Sequence, residues 1–179
     1  SRLAIEINEM PEQYASFNVE TWVESAMRYF TNRNFRVIGD SGKVYGYGRS
    51  VWAMIDTETR QPQDILAIRD GAINDWITAD VECPIDKGSR VKMAHDLPVV
   101  RTIDTYYNDV DVNGHINSVK YIEHVLDLFS IEWYKQYDLR RLEIAYVAES
   151  HGGDRLTFRI QDGTDELEKS ISISKLSEN

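Results

Sequence analysis

The chain has 179 residues, of which 42% are hydrophobic and 28% are charged, a globular composition rather than a disordered or fibrous one. Its net charge of −10 argues against binding nucleic acid by neutralising phosphates. No stretch approaches the roughly 20 apolar residues that cross a bilayer, and the first residues lack the apolar region of a signal peptide. The single cysteine, Cys83, excludes an internal disulfide and indicates a reducing, cytoplasmic setting.

Strand-like patterns dominate the first part of the chain, where apolar or β-branched residues alternate with polar ones. The predicted strands are residues 2–8, 16–24, 26–38 and 44–56. The G-D-S-G turn at 39–42 predicts a hairpin between the last two strands. Residues 62–80 begin with a proline and are predicted to be irregular or helical. The two prolines, the glycine and the mixed charge of residues 83–98 predict a linker.

The second part of the chain has a different layout, with a helix between strands. A strand at 99–107 and a polar turn at 108–117 precede an amphipathic helix over about 118–135, whose apolar residues recur at helical spacing. Asn117 or Ser118 is placed to cap that helix. Three further strands are predicted, at 139–149, 155–161 and 166–176. One helix with several antiparallel strands predicts the α+β class, with a sheet wrapped around a helix.

Four polar side chains occupy alternate positions just before the predicted helix: Asp111, Asn113, His115 and Asn117. In an extended turn this spacing places them on one side, beside the free N–H groups and positive dipole end of the helix. Such a site can hold a carbonyl oxygen as negative charge develops on it. Gly114 lets the backbone approach a ligand closely. A capped turn is the alternative, since Asp, Asn and Gly are common in turns for conformational reasons alone.

The string Y-N-D-V-D-V-N-G-H-I-N-S-V-K-Y-I-E resembles the D-x-N-x-H-x-N-N-x-x-Y block of plant and bacterial acyl-acyl-carrier-protein (acyl-ACP) thioesterases. Residues 144–150, I-A-Y-V-A-E-S, are similar to the Y-R-R-E-C of that family. E-T-W-V-E-S at 20–25 and R-S-V-W-A-M-I-D-T-E-T-R at 49–60 are similar to its N-terminal unit. The resemblance covers nearly the whole chain, and its first motif is the specific one.

The resemblance implies two tandem hot-dog units, each an antiparallel sheet around a central helix. We expect an N-terminal unit over 1–82, the linker over 83–98, and a C-terminal unit over 99–179 that carries the catalytic residues. Relative to the family, we expect about a quarter of the N-terminal side to be absent from this sequence, including the first hot-dog helix. We therefore expect a truncated N-terminal unit, which would also lack part of the acyl slot that the family has there.

By position, the Asp, Asn and His of the family fall on Asp111, Asn113 and His115, and its downstream Glu falls on Glu149. The resemblance thus implies a thioester hydrolase of fatty acid metabolism that releases free fatty acid from acyl-ACP, with no cofactor and no metal. Asp111 would attack the carbonyl carbon or position a water, and Glu149 would deprotonate that water with help from His115. Asn113 and His115 would orient the carbonyl.

Ser150 stands where the family has a cysteine, and Cys83 lies in the predicted linker. A Cys-His-Asn triad therefore cannot operate, and an unactivated serine is a poor nucleophile, so carboxylate chemistry is preferred. Gly114, Asn117 and Ser150 are expected to bind the substrate. The other histidines are interpreted as non-catalytic: His95 as a linker residue and His124 as a surface residue of the helix. His151 follows Glu149 and Ser150 closely, so it either lines the edge of the site or, as the favoured interpretation, is a loop residue.

The implied partner is acyl carrier protein bearing a fatty acyl chain, with no membrane or nucleic acid; a homodimer or an internal pseudo-dimer is expected, because hot-dog units pair. The carrier is acidic like this chain, so docking needs a local basic patch. The candidates are Arg28, Arg33, Arg36, Lys43, Lys87, Arg90 and Lys92.

Three alternative functions stay open: an acyl-CoA thioesterase of the same fold, a hot-dog protein that binds lipid or an acyl group without turnover, and, less favoured, a hot-dog dehydratase.

Overall fold

The antiparallel strands predicted from alternating residues account for most of the regular secondary structure in a computed structural model, which describes residues 1–92, 96–163 and 165–176. In chain order the strands are β1 Arg2–Ile7, β2 Phe17–Ala26, β3 Phe30–Gly39, β4 Val44–Ala53, β5 Val99–Asp104, β6 Arg141–Ala145, β7 Arg155–Asp162 and β8 Lys169–Lys175. The α-helices are α1 Ser118–Leu126 and α2 Ile131–Tyr134. Antiparallel sheets with short helices confirm the α+β class.

Two compact units divide the described chain. The first comprises Ser1–Arg90 and Leu139–Tyr146, and the second comprises Val91–Asp138 and Val147–Asn179. The first unit holds a five-stranded sheet in the order β2-β3-β4-β1-β6, and the second holds a three-stranded sheet in the order β5-β7-β8. Among the described residues, no helix has the length and apolar character needed to cross a membrane.

The predicted hairpin is confirmed, because β3 and β4 pair antiparallel on either side of the turn at 39–42. Gly42 closes that turn at a φ of 85°, a backbone conformation that favours glycine. The irregular or helical region predicted at 62–80 contains a 3₁₀ segment, Ile65–Trp76, which is interrupted at 68–71 by non-helical backbone. Asp64 caps this segment by accepting a hydrogen bond from the N–H of Leu66.

The strand predicted at 139–149 is shorter than expected and lies in the other unit. It spans Arg141–Ala145 and pairs antiparallel with β1, with Leu142 opposite Ile5 and Ile144 opposite Leu3. The sequence expectation grouped everything after residue 99 in the C-terminal unit, and for Leu139–Tyr146 the structure differs. The reason is a long-range pairing between two short apolar strands, which local periodicity does not encode.

The predicted linker is only partly a linker, because its first half is bound to the sheet of the first unit. Ile85 is 2% exposed, and its carbonyl accepts a bond of 2.8 Å from Nε of Arg49. Farther along, Oε1 of Glu143 accepts a bond of 2.7 Å from the hydroxyl of Ser89, and Arg2 donates to the carbonyl of residue 87 at 2.8 Å. Charged side chains of the sheet therefore hold the backbone of residues 83–90, which the proline-rich composition did not reveal.

The single helix predicted over 118–135 is wrong, because the helix ends at Leu126 and a second one begins after Ser130. The hydroxyl of Ser130 accepts a bond from the N–H of Trp133, an N-cap interaction that starts a new helix. The hydroxyl of Tyr134 donates to the carbonyl of Leu126 at 2.6 Å and so stabilises the end of α1. Apolar periodicity continues across this break, and for that reason the sequence pattern alone suggested one helix.

Candidate active site

The turn between Val110 and Ile116 closes on itself, whereas the alternate spacing predicted an extended one. Val110 pairs with Ile116 in an antiparallel bridge. Inside it, the N–H of Asp111 donates to the carbonyl of His115 at 2.8 Å, and the N–H of Gly114 donates back to the carbonyl of Asp111 at 3.1 Å. Gly114 has a φ of 81°, so the turn requires the backbone freedom of glycine at this position.

The carboxylate of Asp111 organises this turn from within. Its Oδ1 accepts bonds from the N–H of Asn113 at 2.8 Å and from the N–H of His115 at 3.1 Å. Hydrogen bonds to a charged acceptor are stronger than neutral ones, so one oxygen of Asp111 has a fixed position. The side chain of Asn113 lies on the exposed part of the turn. Asp111, Asn113 and His115 therefore lie close together. The carboxylate of Asp111, however, contacts the backbone N–H groups of the other two residues and not their side chains.

His115 and Glu149 meet, as the resemblance implied. The N–H of Ile116 donates to the carbonyl of Ser150 at 2.8 Å and joins the two segments. Nε2 of His115 lies 3.5 Å from Oε2 of Glu149, and the two side chains are 22% and 51% exposed. A separation of 3.5 Å is at the long limit for a hydrogen bond, so the imidazole and the carboxylate are neighbours that a small shift would bring into direct contact.

A second imidazole adjoins this pair. The rings of His115 and His151 are edge to face, with centroids 4.9 Å apart, and their backbones form an antiparallel bridge. The N–H of His151 donates to Oδ2 of Asp154 at 2.8 Å, which fixes the loop that follows Glu149. The favoured interpretation of His151 as a loop residue did not include this contact with His115. Its place two residues after Glu149 was the available signal.

Two of the three residues expected to bind substrate support the backbone of the site. Asn117 caps α1, as predicted, and its side chain accepts a bond from the N–H of Val119 at 2.9 Å. This bond uses one of the free N–H groups that a helix N-terminus offers. Ser150 is 8% exposed, and its carbonyl holds Ile116. Gly114 is exposed at the tip of the turn and has open space where a Cβ would lie.

The interpretation of His124 as a surface residue is wrong. Its side chain is 20% exposed, and Nε2 lies 2.7 Å from Oδ1 of Asp109, a carboxylate whose side chain is 10% exposed. Helical spacing offered a signal, because His124 follows the buried Tyr121 by three residues and so shares its face. His95 lies outside the described residues. Within the ranges that are described, no three His, Cys, Asp or Glu side chains form a candidate metal site.

Two family models match the chain: acyl-ACP thioesterase N-terminal domain over residues 1–68, and acyl-ACP thioesterase C-terminal domain over residues 92–177. The chain is also 50% identical in sequence to an acyl-ACP thioesterase from Bacteroides thetaiotaomicron of known crystal structure, with a TM-score of 0.88 over 98% of this chain and 69% of that one. The chain belongs to the acyl-ACP thioesterase family.

Membership of the acyl-ACP thioesterase family confirms the resemblance and the hot-dog fold. The 12:0-ACP thioesterase from Umbellularia californica shares the fold with a TM-score of 0.85 at 18% identity, over 97% of this chain and 68% of that one. A chloroplastic acyl-ACP hydrolase of Cuphea viscosissima is 30% identical over 83% of this chain, and the oleoyl-acyl carrier protein thioesterase 2 of Arabidopsis thaliana, also chloroplastic, is 25% identical over 86%. The chain spans only 37% and 44% of the length of these two plant relatives.

The basic residues considered for docking an acidic carrier are mostly neutralised by acidic neighbours. Ion pairs join Arg28 to Asp64, Arg36 to Glu20, Lys43 to Glu9, Lys87 to Glu24 and Arg90 to Asp86. Exposed pairs of this kind contribute little to stability, but each lowers the positive charge available to a partner. A partner that bound these cations would therefore have to compete with the carboxylates that already pair with them.

Proposed function

We propose that the chain hydrolyses the thioester of fatty acyl-ACP to a free fatty acid and the thiol of the carrier. The observation that carries this proposal is the proximity of His115 and Glu149, 3.5 Å apart, beside the turn that Asp111 organises. A water that lies beside such a pair can contact both groups, and the carboxylate can accept its proton. Relatives named as acyl-ACP hydrolases and thioesterases supply the substrate class.

In the proposed reaction, Glu149 accepts a proton from a water whose oxygen attacks the thioester carbonyl carbon. The carbonyl oxygen then carries negative charge, which the imidazole of His115 and the side-chain amide of Asn113 stabilise by hydrogen bonding. Collapse of this intermediate reforms the C=O bond and breaks the C–S bond. The departing sulfur takes up the proton that Glu149 removed, so the products are a carboxylic acid and a thiol.

We assign Asp111 the role of orienting the site rather than attacking the substrate. Its Oδ1 already accepts two backbone N–H bonds, from Asn113 and His115, and such bonds stabilise the carboxylate and reduce its nucleophilicity. With that oxygen fixed, the second oxygen is directed by the turn and is available to hold the attacking water. Gly114 keeps the tip of the turn open to the substrate.

The proposal is tested by thiol release from acyl-ACP across acyl chain lengths, with the same acyl groups on CoA in parallel. We expect release from acyl-ACP, and its loss in Glu149→Gln. Faster release from CoA would favour the acyl-CoA alternative, and no release from either would favour an acyl-binding protein without turnover. Whether the protein is cytoplasmic, as its single cysteine suggests, stays a prediction, because the plant relatives are named as chloroplastic.

A further inference from the structure

A buried carboxylate, Asp109, lies directly behind the candidate active-site turn. The residue is 7% exposed and follows the end of β5. Its Oδ2 accepts a bond from the N–H of Tyr106 at 2.8 Å, and its carbonyl accepts a bond from the N–H of Asn117 at 2.8 Å. Asp109 thus links the exit of the strand to the last residue of the turn. A charge this deeply buried is stable only when it has partners.

His124 of α1 is the side-chain partner of this carboxylate. Its Nε2 lies 2.7 Å from Oδ1 of Asp109, and its ring is edge-on to Phe158 of β7, with centroids 6.4 Å apart. Phe158 is fully buried, so the imidazole is held between the core of the second unit and a single carboxylate. The pair therefore connects three elements: the segment after β5, the helix α1 and the strand β7.

The charges around the pair keep Asp109 ionised. Burial alone would raise the pKa of Asp109, but the N–H of Tyr106 and the side chain of His124 together lower it below the usual value. Lys120, in the first turn of α1, adds a further positive charge that acts in the same direction, although it is itself paired with Glu123. From β7, the neighbour of His124 is the uncharged ring of Phe158.

We propose that Asp109 and His124 are positioning residues of the thioester hydrolase site. Their buried hydrogen-bonded pair fixes residues 111–117 against α1 and thereby keeps His115 aligned with Glu149. Neither residue touches the reacting atoms. The side-chain pair holds residue 109 in place, and the backbone carbonyl of Asp109 accepts a bond from the backbone N–H of Asn117, where the turn meets the helix. The inference rests on the proposed function. A displacement of about 1 Å at a reacting group costs on the order of 100-fold in rate, so a support of this kind has a measurable effect.

Kinetics of matched variants test the pair. Asp109→Asn keeps the shape of the side chain without its charge, and His124→Phe keeps a ring without a donor. Each substitution should lower kcat by about tenfold or more and leave KM nearly unchanged. The kcat of the double variant should be no lower than that of the less active single variant, because the two residues act as a unit. His124→Gln, whose side chain keeps an N–H donor, should retain most of the wild-type activity. Glu123→Gln, on the exposed face of the same helix, is the control.

Three kinetic outcomes would overturn the proposal. The first is an unchanged kcat, measured well below the unfolding transition, together with a lower melting temperature, because that is the effect of a purely stabilising pair. The second is multiplicative loss in the double variant, which would mean that Asp109 and His124 act independently. The third is loss of activity in His124→Gln as large as in His124→Phe, which would exclude a role for the N–H donor.

Amide hydrogen exchange separates this proposal from the proposed function. If the wild-type protein releases no thiol, the hydrolase assignment fails, but the pair can still be tested. In Asp109→Asn, we expect the amides of His115 and Asn117 to exchange about tenfold faster while the amide of Leu156 in β7 is unaffected. Unchanged protection in the turn would show that Asp109 does not position it, whatever the activity.

Discussion

Nε2 of His115 lies 3.5 Å from Oε2 of Glu149, on two segments that the bond from the N–H of Ile116 to the carbonyl of Ser150 holds side by side. The link between the segments is made by the backbone, so the side chains of His115 and Glu149 can be replaced without removing it. Because a backbone bond supports the site and the side chains carry the chemistry, the effects of side-chain substitutions can be interpreted as changes in reactivity and not in folding.

Replacing Glu149 with glutamine should lower kcat by roughly 10²–10⁴, because the amide keeps the shape of the side chain but cannot accept the proton of the attacking water. The measurement is thiol release from acyl-ACP under single-turnover conditions. Glu132→Gln, on the exposed surface of α2, is the matched control and should behave like the wild type. Near-normal turnover in Glu149→Gln would exclude Glu149 as the general base.

Replacing Asp111 with asparagine should abolish turnover while leaving the fold intact. The amide oxygen can still accept the N–H bonds of Asn113 and His115, so the turn is retained, but the negative charge that directs the water is lost. Circular dichroism and thermal unfolding should match the wild type, while thiol release should fall to background. An active Asp111→Asn variant would contradict the role assigned to this carboxylate.

Replacing Ser150 with alanine should cost little activity. The contribution of Ser150 to the site is its carbonyl, which accepts from the N–H of Ile116, and alanine keeps that carbonyl. We expect kcat within about threefold of the wild-type value in the same assay, a change of under 1 kcal/mol in activation free energy. Complete loss of turnover would instead indicate that the hydroxyl is a nucleophile in place of the thiol of the family.

Two substitutions of His151 should have different effects. Phenylalanine preserves a ring that can stay edge to face with His115, whereas alanine removes the contact. An aromatic pair contributes roughly 0.5–1.5 kcal/mol, so His151→Ala should lower kcat by up to about tenfold and His151→Phe should lower it less. Equal loss in the two variants would show that the nitrogen atoms of His151, rather than its ring, matter to the reaction.

Acid should destabilise the first unit through Glu143 of β6. Burial would raise the pKa of this carboxyl, but bonds from Ser89, Arg141 and Arg2 outweigh it and lower the pKa to about 2. The ordinary pKa of a glutamate carboxyl, which applies in the unfolded chain, is 4.5. Glu143 therefore stabilises the folded state fully above pH 4.5, and this stabilisation is lost as the pH falls toward 2. The loss should be roughly 3 kcal/mol.

Urea unfolding between pH 6 and pH 2 measures this effect. Glu143→Gln should lower the free energy of unfolding at neutral pH, because Arg2 and Arg141 lose their shared acceptor, and should flatten its dependence on pH in the acid range. Glu24 has a pKa of about 2 for similar reasons and should keep part of the slope. An unchanged slope in Glu143→Gln would assign the acid sensitivity to other carboxyls.

Local chemistry explains what could be predicted from the sequence. The turn at 39–42 and alternating residues on each side specify the β3–β4 hairpin over a short range. The polar spacing around His115 and the family motif predicted a site in this region, which stays a prediction, and Asn117 was correctly expected to cap α1. The closed shape of the turn was not predicted, because it depends on which N–H groups the Asp111 carboxylate binds, and several arrangements suit the same residues.

Long-range contacts explain what the sequence did not reveal. The pairing of β6 with β1 joins segments that lie far apart in the sequence. The role of His124 depends on Asp109, which belongs to a different element. The break between α1 and α2 depends on Ser130, whose capping bond competes with continuation of the helix within an unbroken apolar pattern. In each case the local structure depends on a contact with another residue, which the local sequence pattern does not reveal.

The excursion of residues 139–146 into the first sheet makes the two units interleaved rather than consecutive. No single cleavage can yield both as intact folding units, since a fragment ending before residue 139 lacks β6 and leaves β1 as an unpaired edge that favours aggregation. The second unit, in turn, is made of two stretches separated by that strand. Dissection of this protein for separate study therefore calls for circular permutation or a grafted strand, not truncation.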